Sequence, residues 1–422
     1  MSLKKFKVVT LGCRTNQYES QAYADQLKAQ GYIKADGSEE VDLCIVNTCT
    51  VTDAADSSSR QTIRQLVRQN PKARIVVTGC AAEKNAKSFE EMPGVLKVVS
   101  NKDKENLLPL VFPEESWPEF AITHFEAHTR AFVKVQDGCN SFCTYCIIPY
   151  VRGRSRSRRV SDIIKEVEGL VQTGFKEIVL TGINIGDFDG APIEGEAPVR
   201  LADLVRAVDK IEGVKRLRIS SIDPDEVDDD LMDAVLSGKA TCPSFHIVLQ
   251  SGSNVILKRM NRKYTSQMFL EAISKMKKAC PHFTFTTDVI VGFPGESDAD
   301  FEDTIAIIQK VGFAKVHMFP YSKREKTRAA LYPNQVLPAT LQIRKRKVLE
   351  VAEEVSFSLR EEYVGRQMQV LLESEDKESG LFFGHTENFL PVFVPSKGLR
   401  SNEIVSVKLL ENSPQGLIGV LS

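Results

Sequence analysis

The chain lacks both an excess of charge and any long apolar stretch. Its 55 lysine and arginine residues are balanced by 56 aspartate and glutamate residues, which leaves a net charge of −1 over 422 residues. A polyanionic partner would therefore have to bind a local basic patch rather than the protein as a whole. No apolar run reaches the roughly 18 residues that a membrane-spanning helix needs, so we expect no such helix.

The first residues also lack the features of a secretion signal. Two lysines at positions 4 and 5 lead directly into a strand-like run, without the apolar stretch and cleavage site of a signal peptide. We therefore expect a cytoplasmic protein. Disulfides are rare in that compartment, and the nine cysteines are odd in number and unevenly spaced. These cysteines accordingly favour metal binding or redox chemistry over a disulfide framework.

The first 115 residues alternate between short apolar runs and segments with helical spacing. This pattern predicts an α/β domain with an open parallel sheet over residues 1–115. Three of its predicted strands run into a cysteine, namely Cys13, Cys49 and Cys80. Because the carboxyl ends of parallel strands meet at one edge of a sheet, we expect these three thiols to converge.

The rest of the chain predicts two further domains. A stretch with prolines and acidic residues indicates a linker over residues 116–130. Six strand-and-helix units within residues 131–361 are too few for a closed eight-fold barrel. They predict a partial, open, TIM-like (βα)6 barrel with its site at the carboxyl ends of the strands. Five short strand candidates then predict a small β-barrel over residues 362–422.

A second group of cysteines directly follows the first strand of the predicted central barrel. Cys139, Cys143 and Cys146 form a C-x-x-x-C-x-x-C motif, whose three thiolates can hold three corners of a cubane iron–sulfur cluster. Its fourth iron would stay open to a substrate. Zinc is one alternative, but none of the six histidines lies in or near this loop to complete a zinc site. A purely structural set of buried cysteines is the other.

Polar residues and glycines follow the second, fourth and fifth strands of the same barrel. They are candidates for holding a cofactor at the carboxyl edge, where glycine lets the backbone approach a ligand closely. Each loop alone is also typical of an ordinary turn, but their joint placement favours a binding site. The candidates are Thr181, Gly182, Asn184, Gln250, Ser251, Asp288 and Gly292.

Together, these motifs resemble the radical S-adenosylmethionine methylthiotransferases. The Cys139 motif resembles the radical superfamily in general. Residues 10–20, 46–52 and 78–80 resemble the family's N-terminal domain, and residues 137–154 resemble its central domain. The C-terminal segment resembles the TRAM barrel, which binds RNA in that family. The resemblance covers nearly the whole chain.

The resemblance implies two [4Fe-4S] clusters and S-adenosylmethionine as cofactors. The cluster of the Cys139 motif would cleave S-adenosylmethionine to a 5′-deoxyadenosyl radical, which abstracts hydrogen from a substrate carbon. An auxiliary cluster on the three strand-end cysteines would carry or supply the sulfur, which a second S-adenosylmethionine methylates. Since the cofactors perform the difficult step, no catalytic side chain beyond the cluster ligands is implied.

A run of arginines follows the cluster motif. The planar fork of arginine suits bidentate binding of phosphate, so this run favours contact with RNA or a cofactor. A solvated loop that pairs with acidic neighbours is the alternative. The run comprises Arg152, Arg154, Arg156, Arg158 and Arg159. Two more basic clusters lie at residues 323–328 and 344–347.

The residues after Cys13 and the start of the arginine run most resemble the MtaB-type branch of the family. That branch adds a methylthio group to C2 of N6-threonylcarbamoyladenosine at position 37 of tRNA. The resemblance therefore implies the tRNA anticodon stem-loop and an external electron donor as partners, and we expect a monomer. Alternatives are methylthiolation of isopentenyladenosine in tRNA or of a ribosomal-protein aspartate, and a non-catalytic iron–sulfur RNA-binding protein.

One observation opposes the RNA interpretation. Residues 364–422 contain five lysine or arginine residues and seven aspartate or glutamate residues. A domain that binds RNA is usually basic. The expected RNA role of the C-terminal barrel therefore rests on the resemblance and not on its charge.

Overall fold

The structure is a computed structural model that describes residues 4–37, 39–124 and 129–422. The first three residues of the expected N-terminal domain, its position 38 and positions 125–128 of the expected linker lie outside the described residues. No helix in the described ranges is long and apolar enough to cross a membrane.

The N-terminal part forms a five-stranded sheet whose neighbouring strands are all parallel. Its middle strand is buried along its whole length, as expected for a sheet covered on both faces. This arrangement confirms the predicted open parallel sheet. The strands are β1 (Lys5–Thr10), β2 (Ile33–Lys34), β3 (Leu43–Thr48), β4 (Arg74–Gly79) and β5 (Val95–Val98), in the order β2-β1-β3-β4-β5. The helices are α1 (Arg14–Ala29), α2 (Asp53–Gln69), α3 (Cys80–Lys84), α4 (Ala86–Glu90) and α5 (Leu107–Val111).

The central part contains the predicted partial barrel. Its strands are β6 (Arg130–Lys134), β7 (Gln136–Asp137), β8 (Arg156–Ser157), β9 (Glu177–Thr181), β10 (Arg216–Ile219), β11 (Ser221–Ile222), β12 (Ser244–Ile247), β13 (Thr284–Val291) and β14 (Lys315–Pro320). Its helices are α6 (Ile148–Val151), α7 (Val160–Gln172), α8 (Leu201–Asp209), α9 (Asp229–Ser237), α10 (Asn254–Arg259), α11 (Ser266–Ala279), α12 (Asp298–Val311) and α13 (Pro338–Glu361).

These strands pair as two parallel sheets, β10-β9-β6 and β11-β12-β13-β14, with β7 and β8 forming a separate antiparallel ribbon. Only Ser220 separates β10 from β11, so the two sheets continue into each other as six βα units. The described residues also include short 3-10 helices at Lys104–Asn106, Ile185–Asp187, Pro224–Glu226 and Arg328–Leu331.

The C-terminal part is a closed five-stranded barrel, as predicted. Its strands are β15 (Gln367–Asp376), β16 (Leu381–Thr386), β17 (Pro391–Pro395), β18 (Ile404–Asn412) and β19 (Leu417–Leu421), in the order β15-β16-β17-β19-β18. This barrel packs against the amino ends of the central strands, where Arg216 donates hydrogen bonds to the carbonyls of His385 and Gln369. The carboxyl ends of the central strands thus remain available to the N-terminal sheet and to a cofactor.

Candidate active site

Three thiols of the N-terminal sheet meet at the carboxyl ends of its strands. Cys13 precedes α1, Cys49 follows β3 and Cys80 begins α3. Gly12 has a φ of +99°, and a Cβ at this position would lie 2.8 Å from Cys49 Sγ, so only glycine fits between these thiols. Burial, together with the nearby charges of Cys80 and Cys13, raises the pKa of Cys49 to about 11. The three side chains are therefore close enough to act together.

The second triad lies in the loop after β7. The backbone N–H of Cys146 donates to the Cys143 carbonyl over 3.0 Å, which folds the motif back on itself. Burial raises the pKa of both Cys139 and Cys146, and the charge of Cys143 raises each of them further. Phe142 between them has a φ of +48°, a left-handed conformation that a non-glycine residue adopts only when its surroundings hold it.

Arg262 is a residue of this site that the sequence did not reveal. Its buried guanidinium donates to Cys143 Sγ over 2.9 Å and also pairs with Asp223. Arg262 lies just beyond α10, far from the cysteines in sequence and outside any motif. Only the fold brings this positive charge against the cluster loop.

Arg152 occupies an equivalent position beside the other triad. Its side chain is fully buried, and its Nε donates to Cys80 Sγ over 3.3 Å. Its two terminal nitrogens bind Asn16, Glu19 and Asp137, at 2.5, 3.0 and 2.8 Å respectively. This placement contradicts the expectation that Arg152 contacts RNA, because all its donors face protein groups. Arg152 instead connects Cys80 with the segment that leads into Cys139.

A buried ionic network surrounds Arg152 and joins the N-terminal sheet to the central barrel. Lys104 pairs with Glu19 at 2.6 Å and with Asp137 at 2.5 Å. Burial alone would raise the pKa of Glu19, but the charges of Arg152 and Lys104 outweigh it and hold that pKa at about 2. The same two cations hold the pKa of Asp137 well below its usual range despite its burial. Both carboxylates are therefore ionised and fix the two parts of the chain together.

The other arginines of the run divide between the surface and the interior. Arg158 is half-buried and pairs with the buried Glu166 at 2.5 Å, so its guanidinium also faces a protein group. Arg154 is exposed and lies over the Phe142 ring, 4.4 Å from its centroid. Arg156 and Arg159 are about half exposed and pair with Asp137 and Glu196 respectively. RNA contact remains a prediction for Arg154, Arg156 and Arg159.

Gln136 holds the loop after β9 against the cluster loop. No sequence pattern predicted this role. The side-chain oxygen of this buried residue accepts hydrogen bonds from the backbone N–H groups of Ile183 and Asn184, both at 2.9 Å. Gly182 is required here because a Cβ would lie 2.9 Å from the same oxygen. Thr181 is buried at the end of β9. Three of the predicted cofactor residues are thus placed beside the Cys139 motif, and their contact with a cofactor remains a prediction.

The cofactor-binding candidates that follow the fourth strand or lie on the fifth strand differ in their surroundings. Gln250 has a φ of +59° and accepts a backbone hydrogen bond from Ile290 at 2.9 Å. Ser251 is buried, and its hydroxyl lies 3.5 Å from that of Thr304. Asp288 faces the interior of the barrel, 3.3 Å from a ring nitrogen of His246. These placements leave the predicted roles of the three candidates open.

Gly292 has a φ of +77°, a left-handed backbone conformation that favours glycine. A Cβ at this position would lie 2.6 Å from the Leu341 side chain on α13. The backbone conformation and this packing both favour glycine here, and the contact of Gly292 with a cofactor remains a prediction.

Glu226 is another titratable group at this edge of the barrel. Burial, together with the charge of Asp223, raises the pKa of Glu226 to about 8. A carboxyl group that stays largely protonated at neutral pH can donate a hydrogen bond to a neighbour.

The site fits an iron–sulfur cluster and a polar cofactor. Each triad supplies three thiols, and in each triad one thiol accepts a hydrogen bond from a buried arginine. Three buried atoms near the carboxyl ends of the central strands, Asp187 Oδ2, Ser220 Oγ and Gln250 Oε1, have no hydrogen-bond partner among the described residues. Buried polar atoms normally have partners, so these three fit a site that a polar molecule completes. No group of three described His, Cys, Asp or Glu side chains is arranged to hold a single metal ion.

Comparison with known proteins agrees with this geometry. Residues 133–308 match the radical SAM superfamily, and residues 5–100 match an uncharacterized protein family, UPF0004. The chain is 50% identical to the threonylcarbamoyladenosine tRNA methylthiotransferase MtaB of Chlamydia pneumoniae, over 98% of this chain and 97% of that protein. The chain belongs to the radical S-adenosylmethionine methylthiotransferase family. This methylthiotransferase is also 38% identical to MtaB of Bacillus subtilis, over 95% of this chain and 93% of that protein.

A more distant relative and a solved structure extend the comparison. The methylthiotransferase is 34% identical to the tRNA-2-methylthio-N(6)-dimethylallyladenosine synthase of Caldicellulosiruptor saccharolyticus, over 99% of this chain and 92% of that protein. Its fold resembles that of the radical S-adenosylmethionine methyltransferase TsrM from Kitasatospora setae, with a TM-score of 0.57 and 14% identity. That match covers 78% of this chain and 77% of TsrM. Membership of the radical superfamily implies a [4Fe-4S] cluster and S-adenosylmethionine.

Proposed function

We propose that this methylthiotransferase modifies tRNA, adding a methylthio group to C2 of N6-threonylcarbamoyladenosine at position 37. The observation that carries the proposal is the 50% identity to MtaB of Chlamydia pneumoniae over nearly the full length of both chains. The two cysteine triads support a reaction that needs two clusters, and the buried Arg152 links Cys80 of one triad to Asp137, two residues before Cys139 of the other. The tRNA anticodon stem-loop would be the macromolecular substrate, an external donor would supply electrons to the monomer, and the reaction would take place in the cytoplasm.

We assign one [4Fe-4S] cluster to each triad. Cys139, Cys143 and Cys146 would hold the cluster that, when loaded, supplies the electron for cleavage of S-adenosylmethionine. The auxiliary cluster would be held by the three strand-end ligands, Cys13, Cys49 and Cys80. Iron analysis of the anaerobically reconstituted protein tests this assignment. We expect about eight irons per chain, and about four would remove the second cluster.

Several side chains of the protein would position the clusters and the cofactor. Arg262 and Arg152 each place a positive charge and a hydrogen-bond donor on one ligand thiol. Gln136 fixes the loop after β9 against the cluster loop. Tyr145 packs edge-on against buried Phe293, with ring centroids 6.3 Å apart, which helps to exclude water from the cluster loop. The residues after β9, β12 and β13 would then orient the cofactor.

The nucleoside composition of tRNA tests the proposed substrate. We expect 2-methylthio-N6-threonylcarbamoyladenosine to disappear from total tRNA when the gene is deleted, with its unthiolated precursor increasing. Re-expression of the wild-type chain should restore the product, whereas Cys80→Ala and Cys139→Ala variants should not. An unchanged level of the methylthio nucleoside in the deletion strain would refute the proposal.

A second candidate substrate is isopentenyladenosine in tRNA. It is favoured by the 34% identity to proteins named tRNA-2-methylthio-N(6)-dimethylallyladenosine synthase. The same mass spectrometry decides between the two nucleosides. Loss of methylthio-isopentenyladenosine, with the threonylcarbamoyl product unchanged, would assign the chain to this second substrate.

The domain limits also stay proposals. We propose an N-terminal methylthiotransferase domain over residues 1–115, a linker over 116–130, a radical core over 131–361 and a TRAM-type barrel over 362–422. The change from parallel to antiparallel pairing between β14 and β15 supports the last limit. The two cluster domains are expected to need each other, since the ionic network around Arg152 joins them.

A further inference from the structure

One loop of the central barrel touches the surroundings of both cysteine triads. This bridging loop, residues 321–332, follows the last barrel strand. The first half of the loop contains the buried Arg324, whose guanidinium donates a hydrogen bond to the Thr50 hydroxyl over 2.8 Å. The same guanidinium forms ion pairs with Asp53 at 2.5 Å and with Asp56 at 2.6 Å. Thr50 directly follows Cys49, so this half of the loop is fixed beside the N-terminal triad.

The second half of the bridging loop is fixed to the other triad. The backbone N–H of Ala329 donates to the carbonyl of Thr144 over 2.8 Å. Thr144 lies between Cys143 and Cys146. A substrate that reaches both clusters would therefore pass close to this loop.

A cavity of about 860 Å³ lies between the bridging loop and the N-terminal sheet. On the side of the N-terminal sheet, the cavity is lined by Asp53, which lies four residues after Cys49, and by Lys84, which lies about one helical turn after Cys80. Its other lining residues include Arg60, Lys323, Lys326, Arg328 and Leu331. The cavity is thus lined by the helices that follow Cys49 and Cys80 and by the bridging loop, and it spans the boundary between two parts of the chain.

The charges of this cavity are not balanced. Asp53 and Asp56 are both paired with Arg324, and Asp56 also pairs with Lys84 at 3.1 Å. Lys323, Lys326 and Arg328 are exposed, and within the described part of the chain none of them pairs with a carboxylate. Glu325 is the one remaining acidic residue of the lining. An anionic ligand would complete the cavity.

We propose that this cavity binds phosphates of the RNA substrate next to the nucleotide that is modified, an inference that rests on the proposed function. Arginine and lysine are the side chains that bind phosphate oxygens, and three of them project from one short loop. Leu331 is 87% exposed at the same rim and offers an apolar surface to an unstacked base. Single-stranded RNA loops present such unstacked bases together with a flexible backbone. The bridging loop would thus hold the RNA between the two cluster sites.

The test measures binding of an RNA hairpin with the sequence of a tRNA anticodon arm to the reconstituted full-length protein. The variant carries Lys323→Gln, Lys326→Gln and Arg328→Gln together. We expect its affinity to fall by about tenfold or more, and the slope of log affinity against log salt to become shallower by about two. The matched control carries Lys345→Gln, Arg346→Gln and Lys347→Gln, three cations on α13 outside the cavity. Its affinity and slope should stay close to wild type.

The outcomes separate this inference from the proposed function. If the wild-type protein does not bind the hairpin, the tRNA proposal itself fails. If the wild type binds and the cavity variant binds equally well with the same salt slope, the cavity is not the phosphate site. An equal loss in both triple variants would also overturn the inference, because it would reflect general charge. Iron content and visible spectra of all variants must match wild type, which shows that the clusters and the fold are intact.

Discussion

At the scale of single residues, buried arginines beside thiols distinguish this site from ordinary surface cysteines. Arg152 touches Cys80, and Arg262 touches Cys143. A buried charge is costly to desolvate unless it is paired and hydrogen-bonded, and both arginines also have carboxylate partners. A cluster thiolate next to such a donor is stabilised, because hydrogen bonds to the sulfurs are among the features that set a cluster's reduction potential.

The first prediction concerns Arg152. We expect Arg152→Met to destabilise the protein by about 3–5 kcal/mol, since it leaves the buried Glu19 and Asp137 with fewer cations. We also expect the auxiliary cluster to become harder to reduce, because the cysteine ligand loses a donor and a positive charge. Denaturant unfolding and an EPR-monitored redox titration measure the two effects.

Arg154→Met is the matched control for this prediction. Arg154 lies two residues away in the same run, is exposed and has a stacking contact with Phe142 as its described interaction. Its loss should change stability by less than about 1 kcal/mol and leave the reduction potential unchanged. Equal effects of the two substitutions would contradict the assigned role of Arg152.

A second residue-scale prediction concerns Glu226. Its pKa is about 8 in the folded protein, above the ordinary value of 4.5, so the folded state holds the proton more tightly than the unfolded state. Stability should therefore decrease as the pH rises from about 4.5 to about 8. Glu226→Gln imitates the protonated form and should flatten this dependence, making the variant more stable than wild type at pH 9. Unfolding midpoints at pH 5, 7 and 9 check the prediction, and parallel curves for both proteins would refute it.

At the scale of elements, the sequence predicted where the two cysteine triads lie and missed the residues that surround them. Alternation of strands and helices correctly placed β1, β3 and β4 and the six barrel strands, because buried parallel strands have short apolar runs. Cys13, Cys49 and Cys80 then follow from the strand ends. The partners of the two cysteine triads come from distant segments, since Arg262 contacts Cys143 and Arg324 contacts Thr50, next to Cys49. A local sequence pattern cannot predict a contact between residues that are far apart in the sequence.

The arginine run also shows that local sequence does not predict which residues are buried by distant segments. Five arginines within eight residues look alike in sequence, yet Arg152 is fully buried and Arg154 is exposed. The difference arises because Arg152 directly follows α6, whose end places it beside Cys80 and Glu19. Charge alone therefore predicted a surface function for a residue whose position is set by packing between two parts of the chain.

The bridging loop yields a prediction at this scale. Arg324→Met should release the loop from α2, because it removes the contacts to Thr50, Asp53 and Asp56. We expect a loss of about 1–3 kcal/mol, less than for a fully buried pair, since Asp53 is largely solvated. Limited proteolysis with a protease of broad specificity should cleave the loop several-fold faster. The control Arg328→Met removes an exposed cation from the same loop and should leave the cleavage rate unchanged.

At the scale of the whole molecule, the C-terminal barrel is docked through a buried charged interface. Glu177 lies at the centre of three arginines, with Arg218 at 2.8 Å, Arg130 at 3.0 Å and Arg216 at 3.7 Å. Arg216 and Arg218 in turn donate to backbone carbonyls of the barrel. The barrel is therefore held by arginines that depend on one carboxylate of the central part, so its position is fixed relative to the cluster edge.

The last prediction tests this dependence. Burial would raise the pKa of Glu177, but the charges of Arg218, Arg130 and Arg216 outweigh it and hold the pKa at about 2. Its contribution to stability is thus present above about pH 4.5 and is lost as the pH falls toward 2.

In Glu177→Gln the three arginines lose their shared carboxylate, and their mutual repulsion should loosen the barrel. We expect the unfolding of this variant in denaturant to separate into two transitions at pH 7. For wild type we expect the barrel and the central part to unfold together in one transition. The matched control is Glu387→Gln, which removes a more exposed carboxylate 3.8 Å from Arg216 and should leave the transitions coupled. If Glu177→Gln also unfolds in one transition at the wild-type midpoint, the arginine cluster does not hold the barrel. Docking would then rest on the remaining contacts, such as the hydrogen bond from Asn388 to the carbonyl of His282.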